Sequence, residues 1–442
     1  MPVNLLKTVM EKNRGGQRTG LYSVCSANEL VLRSSIRHAV SSRYPLIIES
    51  TSNQVNQFGG YTGMQPHEFM AQVKKIAEEE GMQEDRLILG GDHLGPLLWQ
   101  GENEESAMKK AADLVKAYTL SGFGKIHLDT SMKLADDPPG PLDVRVCARR
   151  GAALAKIVYE SFFQKADLLC KKGSDVLPGN VLRPSLVIGS EVPIPGGSKE
   201  HEDSVTPTDA GDFLKQVSVF REEFEKAGVD FNDVIAFVVQ PGVEFGDDFV
   251  CLYNPEKASA LSGALKTVSG LVFEGHSTDY QNPHNLAEMV RDGVAILKVG
   301  PALTFALREG LFLLEAIEEI VTPLPSRSSF RKTLLEEMNK SKQYWEKYYT
   351  GTKEEIEYKM LFSYSDRCRY YLPEKRVQVS IETLLNNVKI VPPALLSQFF
   401  PAQYRRYMEG KLHGDSVSVL CDRIGDVCAD YSGAIGFGTG LC

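Results

Sequence analysis

The sequence predicts a (β/α)8 barrel followed by a helical C-terminal extension, and three observations predict it. Short aliphatic runs alternate with longer amphipathic segments, the pattern of βα units around a parallel sheet. There are eight such runs, and their ends fall about 39 residues apart, roomy enough for this barrel to carry extended loops. After TPLPSRSS the aliphatic runs stop and Tyr-, Lys- and Glu-rich helical sequence takes over.

The elements follow in order. LYSVCSAN ends at Asn28, and NELVLRSSIRHAVSSR continues with an Asn N-cap and Glu29 in its first turn. PLIIEST ends near Ser50, and QPHEFMAQVKKIAEEEG stops at Gly81, a frequent C-cap residue. RLILGGDH then ends at His93, KIHLDT at Asp129, PSLVIGSE at Glu191, DVIAFVVQ at Gln240, SGLVFEG at Gly275 and VAILKVG at Gly300. Helical patterns fill the intervals, so residues 1–325 read as one barrel. Residues 326–442 read as the helical extension. FRKTLLEEMNKSKQYWEKYY and IETLLNNVK are helical, Pro392, Pro393 and Pro401 cut the remainder into short helices, and the Gly-rich YSGAIGFGTGLC is expected to fray.

Composition removes several function classes. The chain is 43% hydrophobic and 24% charged, with no unbroken apolar stretch of about 18 residues that could span a bilayer. Its 49 basic and 58 acidic residues leave a net charge of -9 without a basic arm, which argues against nucleic acid. Eight cysteines without a C-x-x-C pair, behind a start that lacks the apolar core of a signal peptide, point to reduced thiols in the cytoplasm. A P-loop, a G-x-G-x-x-G fingerprint after a strand and a G-x-S-x-G elbow are all missing.

In a barrel of this kind the C-terminal strand ends carry the chemistry, and here they are polar. GGDHLGP sets Asp92 and His93 on a strand end thinned by Gly90 and Gly91, so one can bind a metal while the other handles a proton. A capping Asp beside a partly buried His is the structural alternative. KIHLDTSM delivers Asp129 to the same mouth, with His127 deeper on the same face and read as structural. Glu191 ends an apolar run and must be paired, coordinated or solvated. LVFEGHSTDYQ places Glu274 and His276 either side of Gly275, followed by Ser277, with helix capping as the alternative.

Seven blocks carry a family resemblance: IESTSNQVNQFGGYTGMQP, LGGDHLGPLLWQ, KIHLDTSMKLADDP, IGSEVPIPGG, VVQPGVEFGD, FEGHSTDYQ and FSYSDRCRYYL. In them the chain resembles the Z-type (KbaZ/GatZ-like) subunit family of class II D-tagatose-1,6-bisphosphate aldolase. The resemblance implies a class II aldolase-like barrel and a role as the non-catalytic partner of a Y-type aldolase subunit. Some relatives look like ketose or ketose-phosphate 4-epimerases. Catalytic class II aldolases carry His at later strand ends, where this chain has Gln240-Pro241 and Glu274-Gly275-His276, a departure that counts against ordinary aldolase activity.

Chemistry then favours a metal-dependent 4-epimerase interconverting tagatose and fructose or their 6-phosphates. The C4 hydrogen of a 2-ketose is β to the carbonyl and not acidic, so C4 inverts by breaking and remaking C3–C4. The expected metal ligands are His93, Glu191, Gln240 and His276, for Zn, Mn, Co or Mg. Asp92 and Asp129 are the expected proton-transfer pair, and Glu274 is a further catalytic candidate or a replacement ligand for Gln240. By position, Asn28, Ser50, Gln54, Ser277 and Lys298 are candidates for substrate hydroxyls or a phosphate. Arg367 would bring a charge from the extension to an anionic substrate or pair with Asp366. The alternative function is an accessory subunit needed for the activity and stability of a tagatose-bisphosphate aldolase, and a homo-oligomer is expected in either case.

Overall fold

The eight aliphatic runs pair edge to edge as parallel strands in the computed structural model, which describes residues 4–171, 182–190 and 205–436. They are β1 (Leu21–Cys25), β2 (Leu46–Thr51), β3 (Leu87–Leu94), β4 (Lys125–Leu128), β5 (Ser185–Ile188) and β6 (Val234–Val239). After an antiparallel hairpin, β7 (Glu244–Phe245) with β8 (Val250–Cys251), come β9 (Val272–Gly275) and β10 (Val294–Val299). β10 returns to β1, so the sheet closes as a (β/α)8 barrel with the β7–β8 hairpin outside it, one of the extended loops that the spacing predicts.

The helical layer is α2 (Glu29–Ser42), α3 (Pro66–Glu79), α4 (Glu104–Ser121), α5 (Val144–Lys171), α6 (Ala210–Lys226), α7 (Pro255–Leu265), α8 (Pro283–Arg291) and α9 (Pro301–Val321). A helix that the periodicity leaves unassigned, α1 (Leu5–Arg14), precedes β1. Its Leu6, Val9 and Met10 pack with Ile47, Val187 and Ile296 and fill the lower barrel interior with apolar side chains. Strand alternation then changes the interior from apolar to charged within two residues: Ile47 gives way to Glu49, Val272 to Glu274, and Ile296 to Lys298. Gly90 leaves room for this layer, because a Cβ there would stand 2.5 Å from Glu49 Oε1.

The extension contains α10 (Phe330–Lys340), α11 (Lys353–Phe362), α12 (Lys375–Asn387), α13 (Pro393–Phe399), α14 (Pro401–Met408) and α15 (Ser416–Ala434). Prolines start α13 and α14, as their missing N–H predicts. The stretch FRKTLLEEMNKSKQYWEKYY is not one helix. It breaks at Ser341, and the turn buries Trp345, whose Nε1–H donates to Met338 O at 2.7 Å. α15 packs between α2, α8 and α9, with the Tyr431 hydroxyl donating to Thr278 O at 2.7 Å. The helix holds through Ala434, so fraying does not reach Tyr431, and residues 437–442 lie outside the described part. Among the described residues no helix is long and apolar enough to cross a membrane.

Candidate functional site

Four carboxylates (Glu49, Asp92, Asp129 and Glu274) and two ammonium groups (Lys125 and Lys298) are buried in the upper barrel. Lys125 Nζ contacts Glu49 Oε1 and lies 2.7 Å from Glu274 Oε2. Lys298 Nζ contacts Asp92 Oδ1, with Glu49 Oε2 at 2.8 Å and Glu274 Oε1 at 3.6 Å. Out of water, such charges persist only by compensating one another. Burial alone would raise Glu274, but Lys125, Lys298 and His276 outweigh it and hold the carboxyl well below its ordinary range. Burial would lower Lys298, and the anions around it, Asp92 first, hold it well above its ordinary value.

Three imidazoles stand at the same level, the ring centres of His93, His127 and His276 lying 5.1 to 5.2 Å apart. Each ring has a carboxylate partner: His127 Nδ1 lies 2.7 Å from Asp92 Oδ1, His93 Nδ1 2.8 Å from Asp129 Oδ2, and His276 Nε2 3.0 Å from Glu274 Oε1. Such partners fix ring orientation and leave the other nitrogen for a ligand. His127 Nε2 is buried with no hydrogen-bond partner among the described residues. Burial would lower His93, but Asp92 and Asp129 raise it, whereas burial and then Lys298 push His276 down to about 3. Asp129 is lowered to about 2, because the His93 hydrogen bond and charge outweigh burial.

These residues fit a divalent cation. Asp92, His127, Glu274 and His276 each offer a ligand atom, all within 4.8 Å of one another. Four carboxylates face two ammonium groups, so the cluster is short of positive charge unless His93 is protonated or a dication binds. Lys298 competes for the same oxygens of Asp92 and Glu274.

The extension roofs this mouth. Asp366, with φ 46°, accepts from Arg308 Nε at 2.7 Å and Thr304 Oγ1 at 2.6 Å, fixing a left-handed turn from which the 3-10 helix Arg367–Tyr370 starts. His93 (φ 49°), Ser277 (φ 53°) and Tyr280 (φ 64°) are also left-handed, so four of the six such non-glycine residues described gather at the mouth or its contact with the roof. Arg369 and Tyr370 line the mouth with Asp92, His93 and His276. A second cavity, beyond Tyr61 and Tyr370, is lined by Asp129, Tyr348 and Arg367.

A family model described as D-tagatose-1,6-bisphosphate aldolase subunit GatZ/KbaZ-like matches residues 6–436. The chain belongs to that family. It is 44% identical over 434 residues to the D-tagatose-1,6-bisphosphate aldolase subunit GatZ of Salmonella agona (strain SL483), spanning 96% of this chain and 98% of that one. The same figures hold for the GatZ subunit of Salmonella heidelberg (strain SL476). A crystal structure described as a probable tagatose 6 phosphate kinase from Sinorhizobium meliloti 1021 superposes with a TM-score of 0.82 at 37% identity, covering 94% of this chain and 100% of that one.

On this family barrel the residues expected from the sequence separate into two groups. Asp92, His93, Asp129, Glu274, His276 and Lys298 are brought together, and Gln54 and Ser277 line the mouth above them. Three others are directed elsewhere. Asn28 Oδ1 accepts from the Leu30 and Val31 amides as the cap of α2. Ser50 follows inward-facing Glu49 by one residue, so it faces the helical layer and bonds Tyr118 Oη at 2.9 Å. Gln240 Oε1 accepts from Gly242 and Val243 amides, which corrects its expected role as a ligand. Glu191 lies outside the described residues. Lys298, expected at a substrate hydroxyl or a phosphate, lines the mouth with its ammonium group held by Glu49 and Asp92, and Arg367 does not pair with Asp366, whose partner is Arg308. His127, read as structural, stands in the imidazole triangle. Polar residues at alternate positions of one strand, Lys125, His127 and Asp129, were the available signal for it and for Lys125.

Proposed function

We propose that this chain acts as the Z-type subunit of a class II D-tagatose-1,6-bisphosphate aldolase, supporting the activity and stability of a Y-type catalytic subunit. The observation that carries this reading is the 44% identity, over nearly the whole of both chains, to subunits of that name. The site chemistry agrees with it. Asp92 Oδ1 accepts from the His93 amide at 2.9 Å and His127 Nδ1 at 2.7 Å, and also contacts Lys298. Burial would raise Asp92, but His93, Lys298 and His127 together hold it well below the ordinary range, making it a weak proton acceptor near neutral pH. The test is co-expression with a Y-type subunit carrying the only affinity tag. Co-purification with faster and longer-lived bisphosphate cleavage is expected, and separate elution with an unchanged cleavage rate contradicts the proposal. A cytoplasmic location and self-association belong to the same reading.

A second reading, metal-dependent 4-epimerisation of tagatose and fructose or their 6-phosphates, is favoured by one observation: the metal-competent group that includes the unpartnered His127 Nε2. Zn, Mn, Co or Mg bound there would supply Lewis-acid polarisation of a ketose carbonyl. In this reading Asp129 holds His93 toward the mouth, and the roof excludes water so that both halves of a cleaved C3–C4 bond are retained. NMR of the chain alone with fructose 6-phosphate, with EDTA or added metal, decides it. A metal-dependent C4 epimer supports the reading, and no conversion with any of the metals removes it.

A further inference from the structure

Among the described residues, two guanidinium groups in the roof make no ion pair. Arg367 is 4% exposed, its Nε–H bonds the Tyr344 carbonyl oxygen, and its plane lies over the Tyr348 ring, 3.2 Å from the centroid. Its Nη1 is buried with no hydrogen-bond partner among the described residues, and the side chain lines the second cavity. A buried cation without an anion is costly, and burial accordingly lowers the Arg367 pKa. Two residues on, Arg369 lines the first cavity with Asp92 and His93. Its Nη1 donates to the Ser365 and Asp366 carbonyls, and Nη2 to Tyr370 Oη at 3.0 Å. No carboxylate pairs with either arginine among the described residues, although seven other arginines of the extension and the adjoining α9 and barrel wall, Arg308 and Arg331 among them, do have one.

Tyr370 and Tyr61, their rings 5.1 Å apart, form the wall shared by the two cavities, so the arginines serve opposite sides of it. Lys347 adds a second cation to the outer cavity, and among the described residues neither it nor Arg367 has a carboxylate partner there. Among the described residues Asp129 is the one carboxylate lining that cavity, and it is held by His93 Nδ1 at 2.8 Å. Both cavities open onto the same cluster, the inner one through Asp92, His93 and His276 and the outer one through Asp129.

We infer that the roof carries two phosphate subsites, Arg367 with Lys347 on the outer side and Arg369 on the inner side, so that this chain itself binds a ketose bisphosphate across the Tyr61–Tyr370 wall. The inference rests on the proposed ketose-phosphate reading for its sugar, and on the unpaired arginines for its two phosphates. It concerns this subunit's own binding, whether or not it turns the sugar over.

The test is isothermal titration calorimetry on the purified full chain with a hexitol 1,6-bisphosphate and the matching hexitol 6-phosphate. These probes have no carbonyl, so binding is read apart from any cleavage or epimerisation. The bisphosphate should bind roughly tenfold or more tightly than the monophosphate, and Arg367→Gln should bring it to about the monophosphate level. Because Arg367 is buried, exposed Lys347→Gln provides an independent check, with an expected loss of about threefold for the bisphosphate. Equal affinities for the two probes overturn the inference, as does a folded Arg367→Gln chain, or a Lys347→Gln chain, with wild-type bisphosphate affinity. Tenfold discrimination together with no conversion of fructose 6-phosphate in the NMR assay would contradict the epimerase reading alone.

Discussion

In the barrel, Lys125 touches two carboxylates and Lys298 three, whereas under the roof Arg367 and Arg369 touch none among the described residues. Both regions are polar interiors of one chain, but they treat charge differently. The barrel cluster balances most of its charge within the fold, so removing one member strands the others in a low-dielectric interior. The roof holds cations in aromatic and carbonyl surroundings that leave them open to an anion from outside. A buried charge that is already matched is evidence about stability, and one that is unmatched is evidence about a ligand.

Substitutions can break or sharpen this contrast. The largest effect is expected for Lys125→Met, which leaves Lys298 as the one ammonium group between Glu49 and Glu274 and should cost about 3–5 kcal/mol in urea unfolding. Arg308→Leu strands Asp366 at the base of the roof and should cost about 3 kcal/mol. It should also weaken hexitol bisphosphate binding, since Asp366 fixes the turn that presents Arg367 and Arg369.

Asp279 gives an intermediate effect with a pH signature. Burial raises its carboxyl to about 6, against the opposing amides of Ala302 and Gly300. The folded chain therefore holds this proton more tightly than the unfolded chain, where an aspartate titrates near about 3.9. Its stabilising contribution is complete below about pH 4 and is lost as pH rises through about 6. Asp279→Asn should accordingly stabilise the protein by about 2 kcal/mol at about pH 8 and change little at about pH 4, as read by urea unfolding. The smallest effect on stability is expected for Arg369→Gln, about 1 kcal/mol, because hydrogen bonds to the Ser365 and Asp366 carbonyls are lost but no ion pair is broken. A loss of several kcal/mol would mean that the roof arginines are structural, like the barrel lysines.

The barrel was legible because each strand is an aliphatic run closed by a polar residue, and RLILGGDH and VAILKVG map onto β3 and β10. α1 escaped because a helix that plugs a barrel end has its apolar residues in one short stripe, Leu6, Val9 and Met10, before the alternation begins. The mouth was legible where chemistry clusters in sequence, as in Asp92-His93 and Glu274-Gly275-His276. It was not legible where a side chain's direction decides its role. Ser50 and Glu49 are neighbours in sequence but face opposite sides of β2, and Gln240 ends its strand yet spends its oxygen on the next turn. Arg369 lay in a recognised block, FSYSDRCRYYL, but only the folded roof separates it from Arg367 and brings both over a barrel that begins more than three hundred residues earlier.

The most direct test of the account is the initial rate of D-tagatose 1,6-bisphosphate cleavage by a fixed amount of Y-type subunit as this chain is titrated in. The account predicts a rate that rises and saturates near one chain per partner. A rate that stays flat at every ratio, with both proteins folded, would contradict it.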